Sequence, residues 1–129
     1  TECTLVAYGR AVYTALEARE ALSAESISAE VLDLRSLVPL DREALLASAR
    51  KTGRVVIVHE ATTFCGYGAE VAAIICDAAF DALKGPVKRV CAPDIPVPVS
   101  PLQEAFYRPS AEAVVAAVRA TMKAGKPRM

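Results

Sequence analysis

The sequence has no Cys-x-x-Cys pair and only one histidine, and its four cysteines, Cys3, Cys65, Cys76 and Cys91, are widely scattered. That spacing fits neither a zinc site nor a disulfide framework, so free thiols in a reducing compartment are expected. No sign of charge is in excess: fifteen Lys and Arg offset fifteen Asp and Glu. Without a basic face or a nucleic-acid-binding motif, nucleic acid is not an expected partner. No apolar run is long enough to span a bilayer, since the longest, around Val71–Ile75, is interrupted by Asp77. The opening residues carry no signal-peptide pattern, and there is no internal repeat or low-complexity linker. These absences give the expectation of a soluble, intracellular domain with no membrane partner.

What is present reads as alternating strands and helices. At 129 residues the chain has the length of one domain with a real core. Cys3–Tyr8 is apolar and β-branched until Gly9 breaks it, a short buried strand. Residues 10–23 place Val12, Ala15 and Leu16 on one face, a helical period. Residues 28–33 form a second, less apolar strand of edge character. Asp41 is a good N-cap, with Leu40 and Leu45 at the two positions of a hydrophobic staple and Gly53 as C-cap. Arg54–Val58 is a continuous apolar strand that ends in His59-Glu60, the kind covered on both faces. After Gly66 and Gly68 a nearly all-apolar helix is expected over residues 69–83, stopped by Lys84-Gly85-Pro86. Residues 87–91 make the fourth strand. Five of the eight prolines fall between Ala92 and Pro109, which predicts an extended coil without a helix. Ser110 then caps a last helix over residues 111–123, and residues 125–129 form a frayed basic tail.

This alternation predicts an α/β fold: a three-layer α/β/α domain over residues 1–124 with a mainly parallel sheet in the strand order 2-1-3-4. The direction of winding reverses between the first and third strands. A crevice there faces Gly9-Arg10 and His59-Glu60, the usual ligand position in such sheets.

Several residues are candidates for chemistry. His59 could titrate near neutral pH and Glu60 could hold its tautomer. Adjacent strand residues point to opposite faces, however, and no nucleophile elbow accompanies them, which favours a helix-capping or interdomain hydrogen-bonding pair. Gly66-Tyr-Gly-Ala-Glu70 lacks the third glycine of a dinucleotide loop and the Gly-Lys-Ser/Thr ending of a P-loop. A glycine turn that lets the following helix approach the sheet is its expected role. Asp33, Arg35 and Asp41 offer two carboxylates and a guanidinium, read as a salt-bridged loop with Asp41 used as the cap. Cys65 is the thiol expected nearest the crevice. The stiff apolar segment Ala92-Pro-Asp-Ile-Pro-Val-Pro-Val-Ser-Pro101 suits a permanent interface or a strap over the core edge.

These segments resemble a known family when taken in order. Tyr8-Gly9-Arg10, Asp33–Asp41 with Arg35 and Pro39, Lys51-Thr-Gly-Arg54, Val58-His-Glu-Ala61, Gly66-Tyr-Gly-Ala-Glu70, and Arg89–Pro98 with Asp94 and Pro96 recur with matching spacing in the C-terminal, transketolase-type domain of the E1 β subunit of 2-oxo acid dehydrogenases, pyruvate or branched-chain. The resemblance covers essentially the whole chain. It implies a complete enzyme that uses thiamine diphosphate and magnesium, both bound outside this domain, to decarboxylate a 2-oxo acid and pass the acyl group to lipoamide on E2. The implied partners are an E1 α subunit, a second E1 β subunit and, in many members, the subunit-binding domain of E2. The implied location is the cytoplasm of a bacterium or the mitochondrial matrix. In the family a cofactor domain precedes this one, and it is absent from this chain. The domain is therefore expected to be inactive alone and to carry no catalytic, cofactor or metal residue. Alternatives are a free-standing flavodoxin-like small-molecule module using the Gly9/His59 crevice, or the C-terminal domain of transketolase itself.

Overall fold

Strand β1 (Cys3–Ala7) is buried along its whole length. Its side chains alternate between two cores, and this sets the architecture. Leu5 and Ala7 enter an apolar cluster with α1 (Ala11–Ala24) and α5 (Ala111–Ala124). Val6 enters a second cluster with α2 (Arg42–Thr52) and α3 (Tyr67–Ala79). Strand β3 (Val55–Thr62) does the same, with Val56 and Val58 on one side and Val55 and Ile57 on the other. Burial on both faces is what a continuous apolar run predicts. The computed structural model describes residues 1–124. Within them, β2 (Ala29–Asp33), β1, β3 and β4 (Lys88–Ala92) form one parallel sheet in that order. The expected three layers and strand order 2-1-3-4 are found; the basic tail, residues 125–129, lies outside the described residues.

Local chemistry explains the elements. Ala11, Ala15, Ala18 and Leu22 form the buried stripe of α1, and small side chains there bring the helix close to the sheet. Asp41 caps α2 by accepting the Ala44 N–H at 2.9 Å, and the staple residues Leu40 and Leu45 both join the α2/α3-side core. Gly53 ends α2 in the left-handed region at φ 70°, where a Cβ would also sit 2.7 Å from the Ala82 carbonyl oxygen. Lys84 lies over this cap, its Nζ donating to the Thr52 carbonyl at 3.2 Å. The buried hydroxyls of Thr4, Ser48 and Thr52 satisfy one another at 2.8 and 2.9 Å between β1 and α2.

Three expectations are corrected. Strand β3 runs on through His59 and Glu60 to Thr62, because β4 continues to pair with it after a register shift between His59 and Thr62. Helix α3 begins at Tyr67, so Gly68 lies inside it, and it closes in a short 3-10 turn, Phe80–Ala82. The segment after β4 is not coil throughout: α4 (Pro101–Tyr107) is helical. Proline at the first helical position costs no hydrogen bond, and the six residues that follow contain no helix breaker.

Candidate functional site

His59 sits at the carboxyl end of β3 and is fully buried on the α2/α3 side of the sheet. Its ring stacks on Tyr8, at the exit of β1, with centroids 5.6 Å apart. Its Nε2 accepts the backbone N–H of Gly68 in the first turn of α3 at 3.2 Å. An accepting Nε2 places the neutral ring's proton on Nδ1, which is buried and makes no well-formed hydrogen bond among the described residues, although the Ala61 backbone is near enough to act on the ring. The Cys91 thiol, directly across on β4, lies 3.3 Å from the same Nε2. Burial holds the His59 pKa below its ordinary value of 6.5; the Arg89 cation acts in the same direction, and the Ala61 backbone offsets part of the effect.

The two glycines make this possible. A Cβ on Gly68 would fall 2.3 Å from His59 Nε2, and one on Gly66 would fall 2.2 Å from the Thr62 carbonyl oxygen and 2.8 Å from His59 Cε1. Helix α3 therefore rests directly on the imidazole. The crevice expected at Gly9 and His59 is filled by Tyr8 and the start of α3, which leaves His59 no solvent-facing surface. An open groove of about 260 Å³ lies on the α1/α5 side beside Arg10, Thr14, Arg108 and Ser110.

The other sequence candidates are placed as follows. Arg35 Nε pairs with Asp33 Oδ2 at 3.1 Å and the Arg35 N–H donates to Asp33 Oδ1 at 3.0 Å, while Asp41 is engaged as the α2 cap. Pro39 lies exposed between them and follows Val38 through a cis peptide bond. Glu60 is half-buried, and Glu70 is exposed in the first turn of α3, where a carboxylate suits the helix dipole. Asp94 accepts the Phe64 N–H at 2.8 Å and so ties the segment after β4 to the loop after β3. Pro96 and Pro98 line an apolar groove of about 500 Å³ together with Ile95, Leu102, Phe106 and Tyr107. Sequence reasoning picked Cys65 as the thiol near the crevice; that residue is exposed, and Cys91 is the one on His59. Only the cross-strand register identifies Cys91, and register is not written in either strand alone.

This arrangement is poor in reactive groups. Burial raises the Cys91 thiol above its ordinary value and pushes Cys3 up to about 12, so neither is a thiolate near neutral pH. Among the described residues no group of three or more His, Cys, Asp or Glu could hold a metal ion. The glycines of the 66–70 motif are consumed by close contact with His59 and Thr62 and do not form a phosphate cradle. These residues do not fit thiamine diphosphate or its magnesium.

What the molecule displays instead is apolar surface at one edge. In a parallel sheet all loops leaving the strands' carboxyl ends emerge together. Val38 after β2, Phe64 after β3, and Val97, Val99, Leu102 and Phe106 after β4 are each at least 68% exposed. Two other large hydrophobics are exposed outside these loops, Tyr13 on α1 and Phe80 after α3.

A four-stranded parallel sheet in the order 2-1-3-4 with helices on both faces defines a three-layer α/β/α domain. The family model for the transketolase C-terminal domain matches residues 1–114, and the chain belongs to that family. It is 46% identical over 125 residues to the β subunit of acetoin:2,6-dichlorophenolindophenol oxidoreductase from Cupriavidus necator, covering 97% of this chain and 37% of that one. It is 42% identical over 119 residues to the β subunit of 2-oxoisovalerate dehydrogenase from Bacillus subtilis, covering 92% of this chain and 36% of the relative. A solved split-gene transketolase, described as an inactive β4 tetramer, superposes with a TM-score of 0.82 at 36% identity, over 97% of this chain and 39% of that chain. The chain thus spans little more than a third of the length of the relatives it matches.

Proposed function

We propose that the chain is the subunit-association domain of an E1-type β subunit in a thiamine-diphosphate-dependent oxidoreductase acting on a 2-oxo acid or on acetoin. In this reading it is not catalytic alone, and the cofactor, magnesium and substrate are bound by the rest of the enzyme. The observation that carries the proposal is the apolar carboxyl edge formed by Val38, Phe64 and the 95–106 segment. An exposed apolar surface of this kind marks an interface. The occupant is a second copy of this chain, because a related chain that shares the domain is described as a β4 tetramer. Contact with an E1 α subunit, and with the subunit-binding domain of E2, follows from the same resemblance. Lys84 is used on the α2 cap. Cytoplasm or mitochondrial matrix is the matching location. Choice among pyruvate, branched-chain oxo acids and acetoin is assigned to the parts of the enzyme beyond this domain.

Sedimentation velocity over roughly 1–100 µM tests the reading, since weak dimers dissociate within that range. The chain is expected to associate, and Leu102→Asp with Phe106→Asp to leave it monomeric at unchanged thermal stability. A wild-type chain that stays monomeric throughout overturns the proposal.

A further inference from the structure

His59 is linked to all three loops that build the apolar edge, directly to those after β3 and β4 and through Tyr8 and Tyr67 to the one after β2. The loop after β3, carrying Phe64, enters α3 through Gly66 and Gly68, whose seat is the imidazole itself. The loop after β2 is held by Tyr67, whose hydroxyl donates to the Leu37 carbonyl at 2.7 Å beside exposed Val38. Tyr67 in turn packs edge-on against Tyr8, at 6.0 Å, and Tyr8 stacks on His59. Near the end of β4, Cys91 contacts His59 Nε2 and the Ala92 carbonyl accepts the Thr63 N–H at 3.1 Å, while Asp94 ties the segment that follows to the Phe64 N–H.

The environment of this node is built for a neutral ring. Tyr8 faces it from the exit of β1 with Tyr67 of α3 packed behind Tyr8, and Cys91 and Arg89 act on it from β4. Burial holds Tyr8 and Cys91 above their ordinary values, so both keep their protons at neutral and mildly acidic pH. Arg89 is cationic throughout. Glu60, the next residue along β3, points to the opposite face; Glu70 is exposed on α3; Asp94 is engaged with Phe64. His59 is hydrogen-bonded to no carboxylate among the described residues. A second ring proton would have to sit on Nε2, where it meets the Gly68 N–H head-on at the positive end of a thirteen-residue helix.

We propose that His59 is a proton-sensitive latch on the carboxyl edge: neutral, it seats α3 and fixes the three apolar loops; protonated, it releases them and weakens association between copies of the chain. The association half of this inference rests on the function proposed above; the latch itself does not. The sign follows from burial, because a histidine favoured in its neutral form stabilises the folded arrangement fully above its ordinary pKa of 6.5, and that contribution is lost as pH falls.

The chain's single histidine makes the test clean. The imidazole resonance is followed by NMR from about pH 7.5 to about pH 5, the range in which only histidine normally titrates, together with the amides of Val38, Phe64 and Gly68. The loop amides are expected to shift and to lose exchange protection with the midpoint of the imidazole, while helix content by circular dichroism stays intact. Self-association measured in parallel is expected to weaken about tenfold, the effect of some 1.4 kcal/mol. In His59→Gln, where an amide oxygen can still accept from Gly68, both responses should vanish. Loop amides that ignore the imidazole titration overturn the latch, as does global unfolding at the same midpoint or a pH response that persists in His59→Gln. A chain that is monomeric at every pH refutes the association reading while leaving the NMR result to decide the latch.

Discussion

Gly68 shows how a single residue can look like one kind of site and serve another. Its hydrogen is the contact surface on which His59 Nε2 rests, and a methyl there would lie 2.3 Å from that nitrogen. The ring cannot swing away easily, because Tyr8 is stacked on it. Gly68→Ala is therefore expected to cost about 1–3 kcal/mol of folding stability, the range for an overpacked core, measurable by urea denaturation. A loss under about 0.5 kcal/mol would mean that α3 shifts freely and that the close approach is incidental. At this scale the sequence was partly legible. A glycine pair before an apolar helix does announce close packing against a sheet. That the surface underneath is an imidazole bracketed by Tyr8 and Cys91 depends on three strands being in register.

Helix ends were the most readable elements, because their chemistry is local. Asp41, its staple and Gly53 all stand where the spacing of polar and apolar residues puts them. Asp41→Ala should cost about 1 kcal/mol, the usual effect of losing an N-cap, with Asp41→Ser restoring most of it. Equal stabilities for the three forms, by thermal or chemical unfolding, would show that α2 is held by packing alone. Helix α4 was misread for a reason of the same kind. Dense proline suggests coil for the whole stretch, whereas Pro101 starts a helix and Pro109 lies beyond its end. The length of β3 was also hidden, since residues 59–62 are held extended by pairing with β4 and by their own sequence hardly at all.

For the whole molecule, topology was legible because strand and helix alternation leaves few ways to wind a parallel sheet, whereas the gathering of apolar side chains at one edge was not, because it depends on where three separate loops meet. The edge is made of valine, leucine, isoleucine, phenylalanine and proline side chains, so its association should survive about 1 M salt, conditions that screen surface ion pairs to a few ångströms. Dissociation on adding salt, seen by light scattering, would point instead to a charged contact. One feature of the sheet bears on what shape such assemblies take. Both of its flanks are open, β2 on one side and β4 on the other. The acidic groups of β2 are already engaged, Glu30 with Lys51 and Asp33 with Arg35, while β4 begins with the exposed cations Lys88 and Arg89. A copy approaching flank to flank would bring those cations to carboxylates that are taken. In the association proposed above, strand-by-strand growth into an endless ribbon is thereby disfavoured, and a finite, closed particle is the expected form.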